Sequence, residues 1–305
     1  MPSKGTSSGR GPDADHRFAS AWLKWGRAVL HAEALHTDIV AADKPDVWCR
    51  ADYIPRRHGF SIVPEMAELP PARWSILLGD IASNYRAALD HLAWALVGRG
   101  SSPPDTLTEP RRRRIGFPVC DTRADFNDSL PRRLPGARRS DVAKVRAAQP
   151  YHYGARKRPL HSFRTLVSVS NSDKHRTIEP IWAFPVHVHL TVAMSEDCSA
   201  VRFPPRGTAC PVEAGQEMAF VRVRKTGPSP SLNIAVDVTP EPCLEKNISV
   251  TEWCRGTTVY IRDLLRAFSG WPPEMTDLDM DVLMPWLRLG KLQAPSSLAV
   301  TPRRG

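Results

Sequence analysis

The chain has nothing close to the roughly 18 consecutive apolar residues that a membrane span requires. Its longest apolar runs, such as Leu92 to Val97, are core-sized, so no membrane partner is expected. It does not open on a charged region followed by an apolar one, so no secretory signal is expected. Its six cysteines are scattered and form no C-x-x-C pair, which argues against a zinc ribbon or a thioredoxin-like centre and fits reduced thiols in a cytoplasmic protein. Cys120 and Cys254 have no evident His partner in sequence, so a cysteine nucleophile has no support. Walker A, G-x-S-x-G, dinucleotide-fingerprint and H-E-x-x-H patterns are all missing. No cofactor and no metal are expected on that basis.

What is present is a chain of 305 residues, long enough for one large domain or two ordinary ones. Hydrophobic residues make up 42%, a globular fraction, and the 29 prolines imply many broken elements. Residues 1–15 are rich in Ser, Gly and Pro and read as a disordered arm. Residues 271–305 read as a tail, polar from about Gln293. The net charge of +10 is localised: residues 111–158 hold fourteen Lys and Arg against four Asp, which leaves the rest neutral. Arg111, Arg112, Arg113, Arg114, Arg132, Arg133, Arg138 and Arg139 stand out in it. One reading is a landing site for a phosphate backbone, with RNA or another polyanion as partner. The other is a solvated, Arg-rich loop in a protein with the Ala/Arg/Pro bias of a GC-rich genome.

Apolar spacing predicts a helix over about 18–42, on the stripe Phe18, Trp22, Trp25, Val29, Leu35, Ile39, with Asp15 as N-cap. A hairpin is predicted over 47–54 and 59–66. A second long helix is predicted from Pro71 to Val97, closed by Gly98, with Leu78, Ile81, Tyr85, Leu89, Leu92 and Leu96 inward. Short helices follow near 123–130, 140–148 and 160–170. From Ile178 the period drops to two, with strands near 182–192, 217–225 and 232–239, before a closing helix over 256–269. The reading is an α+β fold in one domain, 16–270: a helical part 16–177, an antiparallel sheet from 178–250, and the closing helix.

Two polar clusters carry the candidate chemistry. On the second helix, Asp80, Asn84 and His91 fall within about 40° of one another, roughly opposite the core stripe. Arg86 and Asp90 form an i, i+4 pair beside them. Trp94, one turn beyond His91, suggests that another element covers part of this face. The second cluster is Asn171-Ser172-Asp173-Lys174-His175-Arg176, at the end of an apolar helix. Docked on the polar side of the second helix, it would complete a site of two His, two Asp and two Arg. The plainer alternatives are a surface ion pair and an exit to solvent with a polar C-cap. His187 and His189 share a strand face, where a polar sheet face is the better reading than a metal site. A mixed metal site from Asp90, His91, Asp173 and His175 is open on ligand type.

The pattern Arg86-Ala87-Ala88-Leu89-Asp90-His91-Leu92, then Gln149-Pro150-Tyr151, then Asn171-x-Asp173-Lys174-His175-Arg176 resembles a family of uncharacterised bacterial proteins, common in actinobacteria. The resemblance spans about 18–270 and implies no activity. Arg86 and His91 also resemble the R-x4-6-H motif of HEPN (higher eukaryotes and prokaryotes nucleotide-binding) ribonucleases. These are helical bundles that cleave RNA without metal, and many dimerise to build the site. Ala87 stands where that family usually has a polar residue, and the HEPN core lacks a β block of this size. Carried over, the resemblance implies that Arg86 holds the scissile phosphate and His91 moves protons, without metal and in a homodimer. The co-occurrence of both clusters with one basic segment extends this to an RNA- or nucleotide-directed phosphodiesterase. His91 and His175 would be the acid–base pair, Arg86 and Arg176 the phosphate ligands, and Asp90 and Asp173 the orienting carboxylates. Asp80, Asn84, Asn171 and Lys174 would support them. The rival expectation is a non-enzymatic module in which both clusters are structural and the basic segment binds nucleic acid or an acidic partner. A metal-dependent hydrolase is the third.

Overall fold

The computed structural model describes residues 16–42, 47–66, 70–154, 161–175, 178, 180–183, 189–193, 198–202, 217, 219–223, 233–237, 241–244 and 248–270. The fold is α+β. Its long helices are α1 (Ala19–Ala41), α2 (Ala72–Gly98) and α7 (Val250–Ser269); shorter ones are α3 (Glu109–Arg112), α4 (Arg123–Arg133), α5 (Arg139–Ala147) and α6 (Ser162–His175). The strands are β1 (Val47–Ile54), β2 (Gly59–Met66), β3 (Ile181–Ala183), β4 (His189–Ala193), β5 (Cys198–Arg202), β6 (Ala219–Val223), β7 (Asn233–Asp237), β8 (Glu241–Leu244) and β9 (Ile248–Ser249). Contacts divide the chain into two compact units.

The helical unit comprises 1–34, 78–176 and 254–305. The stripe expected on α1 is its core: Phe18, Trp22, Trp25 and Val29 are fully buried, as are Leu78, Ile81, Tyr85, Leu89, Leu92 and Leu96 of α2. Each such side chain contributes roughly 1.5–3 kcal/mol through burial. Their polar atoms are satisfied against α7. Trp22 Nε1 donates to Ser269 Oγ at 2.9 Å and Trp25 Nε1 to Thr258 O at 2.9 Å, while the Tyr85 hydroxyl meets Thr258 Oγ1. On α7, Thr257, Ile261, Leu264 and Phe268 are all buried, on the expected stripe. Thr122 caps α4: its Oγ1 accepts from the Asp125 amide at 3.1 Å and donates to the Asp125 carboxylate at 2.7 Å. The described α6 runs on to His175, beyond the end expected near Ser170. Polar residues suit the exposed face of a last turn as well as they suit a loop, so a polar run alone does not mark the stop.

The strand-bearing unit comprises 35–77 and 177–253. Its main sheet has the antiparallel order β1-β2-β6-β5, and β3-β8-β9 and β4-β7 form two smaller antiparallel groups. The N-terminal hairpin therefore joins the sheet that the sequence reading drew from the C-terminal half. Its strand ends fall where expected, with His58 in the left-handed region at φ 50° closing the turn. Gly59 is required where β2 meets β6, because a Cβ there would overlap the Val221 carbonyl oxygen. Arg57 bonds Glu217 through both guanidinium ends, at 2.5 and 2.9 Å, and lies 3.8 Å over the Phe220 ring. Asp15 as N-cap and the His187–His189 pair lie outside the described residues.

Candidate functional site

Arg86 and Asp90 do form the i, i+4 pair, with Nε–Oδ2 at 3.2 Å and Nη2–Oδ1 at 3.0 Å. Both also reach the same residue of the following loop. Arg86 Nη2 donates to Phe117 O at 3.0 Å, and the Phe117 N–H donates to Asp90 Oδ1 at 2.9 Å. Phe117 is buried outside any helix or strand, so its backbone groups need such partners. The next loop residues are held by Gln149, which is fully buried. Its Nε2 donates to Pro118 O at 2.9 Å and to Val145 O at 3.0 Å, and its Oε1 accepts from the Cys120 N–H at 3.0 Å. Two motifs that are far apart in sequence thus converge on residues 116–120. Gly116 is part of the fit: a Cβ there would stand 2.9 Å from Asp90 Oδ1 and 3.2 Å from Arg133 Nη1. Hydrogen bonds with a charged partner contribute about 1.5–3 kcal/mol each, neutral ones about 0.5–1.5. This clasp stabilises the loop.

His91 is half-buried on the same helix. Burial, and then the charge of Lys24 on α1, lower its pKa from the ordinary histidine value, against an opposing pull from Asp90. Asp80 is exposed, and Asn84 Nδ2 bonds the Asp80 carbonyl at 2.9 Å along its own helix. Trp94 is 45% exposed. Part of its surface is thus covered, and loop 116–120 lies on the Arg86 and Asp90 part of this face.

Asp173 docks on α2 at Gly79, where a Cβ would overlap its carboxylate. Arg86 lies seven residues further on and His91 twelve, which is about 10 and 18 Å along the axis, with His91 turned by about 120° from Gly79. The structure thus brings Asp173 to this helix but not to His91. Asn171 is exposed. The side chains of Lys174 and His175, and all of Arg176, lie outside the described residues, and with them the expected pairing of His91 with His175. Among the described residues no group of three His, Cys, Asp or Glu is arranged to hold a metal ion.

The basic segment is largely open. Arg111, Arg113, Arg114, Arg132, Arg133, Arg138 and Arg139 are exposed, and Arg112 is half-buried. Arg112 and Arg113 pair with Glu109 at 2.9 and 2.8 Å, and Arg138 Nε donates to Arg99 O at 2.8 Å. Among the described residues, Arg111, Arg114, Arg132 and Arg139 have no carboxylate partner.

Two more polar arrangements among the described residues could not be foreseen from the sequence. Arg99 and the buried Asp141 form a bidentate pair at 2.8 and 2.5 Å, and Arg99 Nη1 also donates to Phe268 O at 3.3 Å. The only sequence signal was Asp141 in the first turn of a helix, where an acid suits the dipole. His161 is 6% exposed among Tyr153, Phe163 and Tyr260. Its Nδ1 accepts from the Phe163 N–H at 3.2 Å and its Nε2 has no described partner. Burial pushes its pKa down to about 4. Phe163, two residues on in the same apolar segment, was the available hint. No family model, no curated protein and no solved structure matches the chain.

Proposed function

We propose that this protein is a non-enzymatic module that binds RNA through the exposed arginines of 111–139, and that its polar motifs are structural. The observation carrying this reading is the clasp: Arg86, Asp90 and Gln149 are engaged with the backbone of 117–120. A guanidinium and carboxylate committed to a loop are poorly placed to serve a scissile phosphate. Meanwhile Arg111, Arg114, Arg132 and Arg139 keep donors facing water, which is what phosphate-backbone affinity requires. The test is fluorescence anisotropy with single-stranded RNA from 50 to 200 mM salt. Log affinity falls linearly with log salt, and Arg114→Ala and Arg132→Ala each flatten the slope by about 1. The RNA is recovered intact. Unchanged slopes in both variants defeat the reading.

A second reading is metal-independent RNA cleavage, favoured by one observation. Burial, then the charge of Lys24, lower the pKa of the partly solvent-facing His91, which favours the neutral imidazole that a general base needs. Loss of cleavage in His91→Ala with an unchanged melting temperature would select it.

A further inference from the structure

The loop around Ser102 to Leu107, Arg111, the end of α4 with the turn after it, and one face of α5 enclose a cleft of about 720 Å³. That is within the range of roughly 300–1,000 Å³ typical of small-molecule sites. Its chemistry is two-sided. Leu107, Leu130, Leu134 and Val142 make an aliphatic wall, and Arg111, Arg139 and Arg146 supply three guanidinium groups. No acidic and no aromatic residue is among the lining residues.

Each feature of that lining constrains a ligand. The missing carboxylates leave the positive charge uncompensated inside a concavity with apolar walls, where it acts more strongly than on open surface. Arg111 and Arg139 have no carboxylate partner among the described residues. Arg146 is held in place, with Nη2 on Asn127 Oδ1 at 3.3 Å and its guanidinium 5.4 Å from the centre of the Phe126 ring. Its Nε is buried with no described partner, so the ends of the guanidinium are what the cleft can offer. The missing aromatics argue against a nucleobase, whose affinity for protein rests on stacking. What remains is a molecule with an anionic head and an aliphatic body.

We propose that this cleft binds a small amphipathic anion, a carboxylate or phosphate monoester on an aliphatic chain. The head sits among Arg111, Arg139 and Arg146, and the chain lies on Leu130, Leu134 and Val142. The site shares Arg111 and Arg139 with the RNA-binding reading but does not rest on it, since Arg146 and the aliphatic wall lie outside that reading. The experiment is isothermal titration of the full chain with octanoate and octyl phosphate, below their micelle concentrations, against octanol and inorganic phosphate. One or both of the amphipathic anions bind, the better of them at least tenfold tighter than either control, and their ranking says which head the arginines prefer. Arg146→Met, which removes the charge and keeps an apolar stem, weakens binding at least tenfold. Val142→Trp, which fills the wall, does the same. Arg111 is exposed, so Arg111→Gln leaves the fold intact and decides the matter if the other variants unfold; it weakens binding severalfold. Octanol or phosphate binding as tightly as the amphipathic anions, or folded variants that bind like wild type, overturns the proposal.

Discussion

The clasp on α2 and the arginine cluster from α3 to α5 use the same residue types to opposite ends. At the clasp, a guanidinium, a carboxylate and an amide are taken up by one five-residue loop. In the basic segment, Arg111, Arg114, Arg132 and Arg139 stand without a carboxylate partner among the described residues, beside solvent or an open cleft. The difference lies in partners, and composition does not reveal partners. A motif dense in ionisable residues signals a site only where some of their bonding capacity is left over.

Breaking the most heavily satisfied pair tests that contrast hardest. Asp141 is 3% exposed and fully engaged by Arg99. Asp141→Ala leaves the largely covered Arg99 guanidinium without its carboxylate and lowers unfolding free energy by about 3 kcal/mol in urea titration. Next is the acid limb of stability. The folded-state pKa of His161 is depressed to about 4, so its contribution is fully present above the unfolded value near 6.5 and is lost as pH falls toward 4. The loss is on the order of 3 kcal/mol. His161→Phe flattens that limb between pH 6.5 and 4. At the clasp, Asp90→Ala and Gln149→Leu each cost about 1–3 kcal/mol, because each leaves buried backbone groups unpaired. Being on one loop, their effects combine non-additively in a double-mutant cycle. At the other pole, Arg114→Ala and Arg132→Ala change stability by no more than about 0.5 kcal/mol. Their effect appears in salt-dependent binding.

Much of the fold was legible because apolar spacing reports burial directly. The stripes Phe18–Trp22–Trp25–Val29 and Leu78–Ile81–Tyr85–Leu89 are core, and the hairpin ends at Ile54 and Gly59 as its turn chemistry demands. Sheet order was not legible, since pairing β2 with β6 joins residues 59–62 to 219–222, and no local pattern encodes that separation. The site was harder still. The i, i+4 spacing of Arg86 and Asp90 predicted their pairing and was silent about Phe117, 31 and 27 residues away. Likewise, the polarity of Asp173 promised solvent or a site, and only the tertiary fold puts it against Gly79.

Amide hydrogen exchange at Phe117 probes the clasp most directly. In the wild-type protein this N–H, bonded to Asp90 Oδ1 at 2.9 Å, exchanges slowly. Asp90→Ala should speed its exchange by at least tenfold, about 1.4 kcal/mol, while RNA affinity and salt slope stay at wild-type values. Unchanged protection at Phe117, together with loss of an activity on RNA, would contradict the account and return Asp90 to an active site.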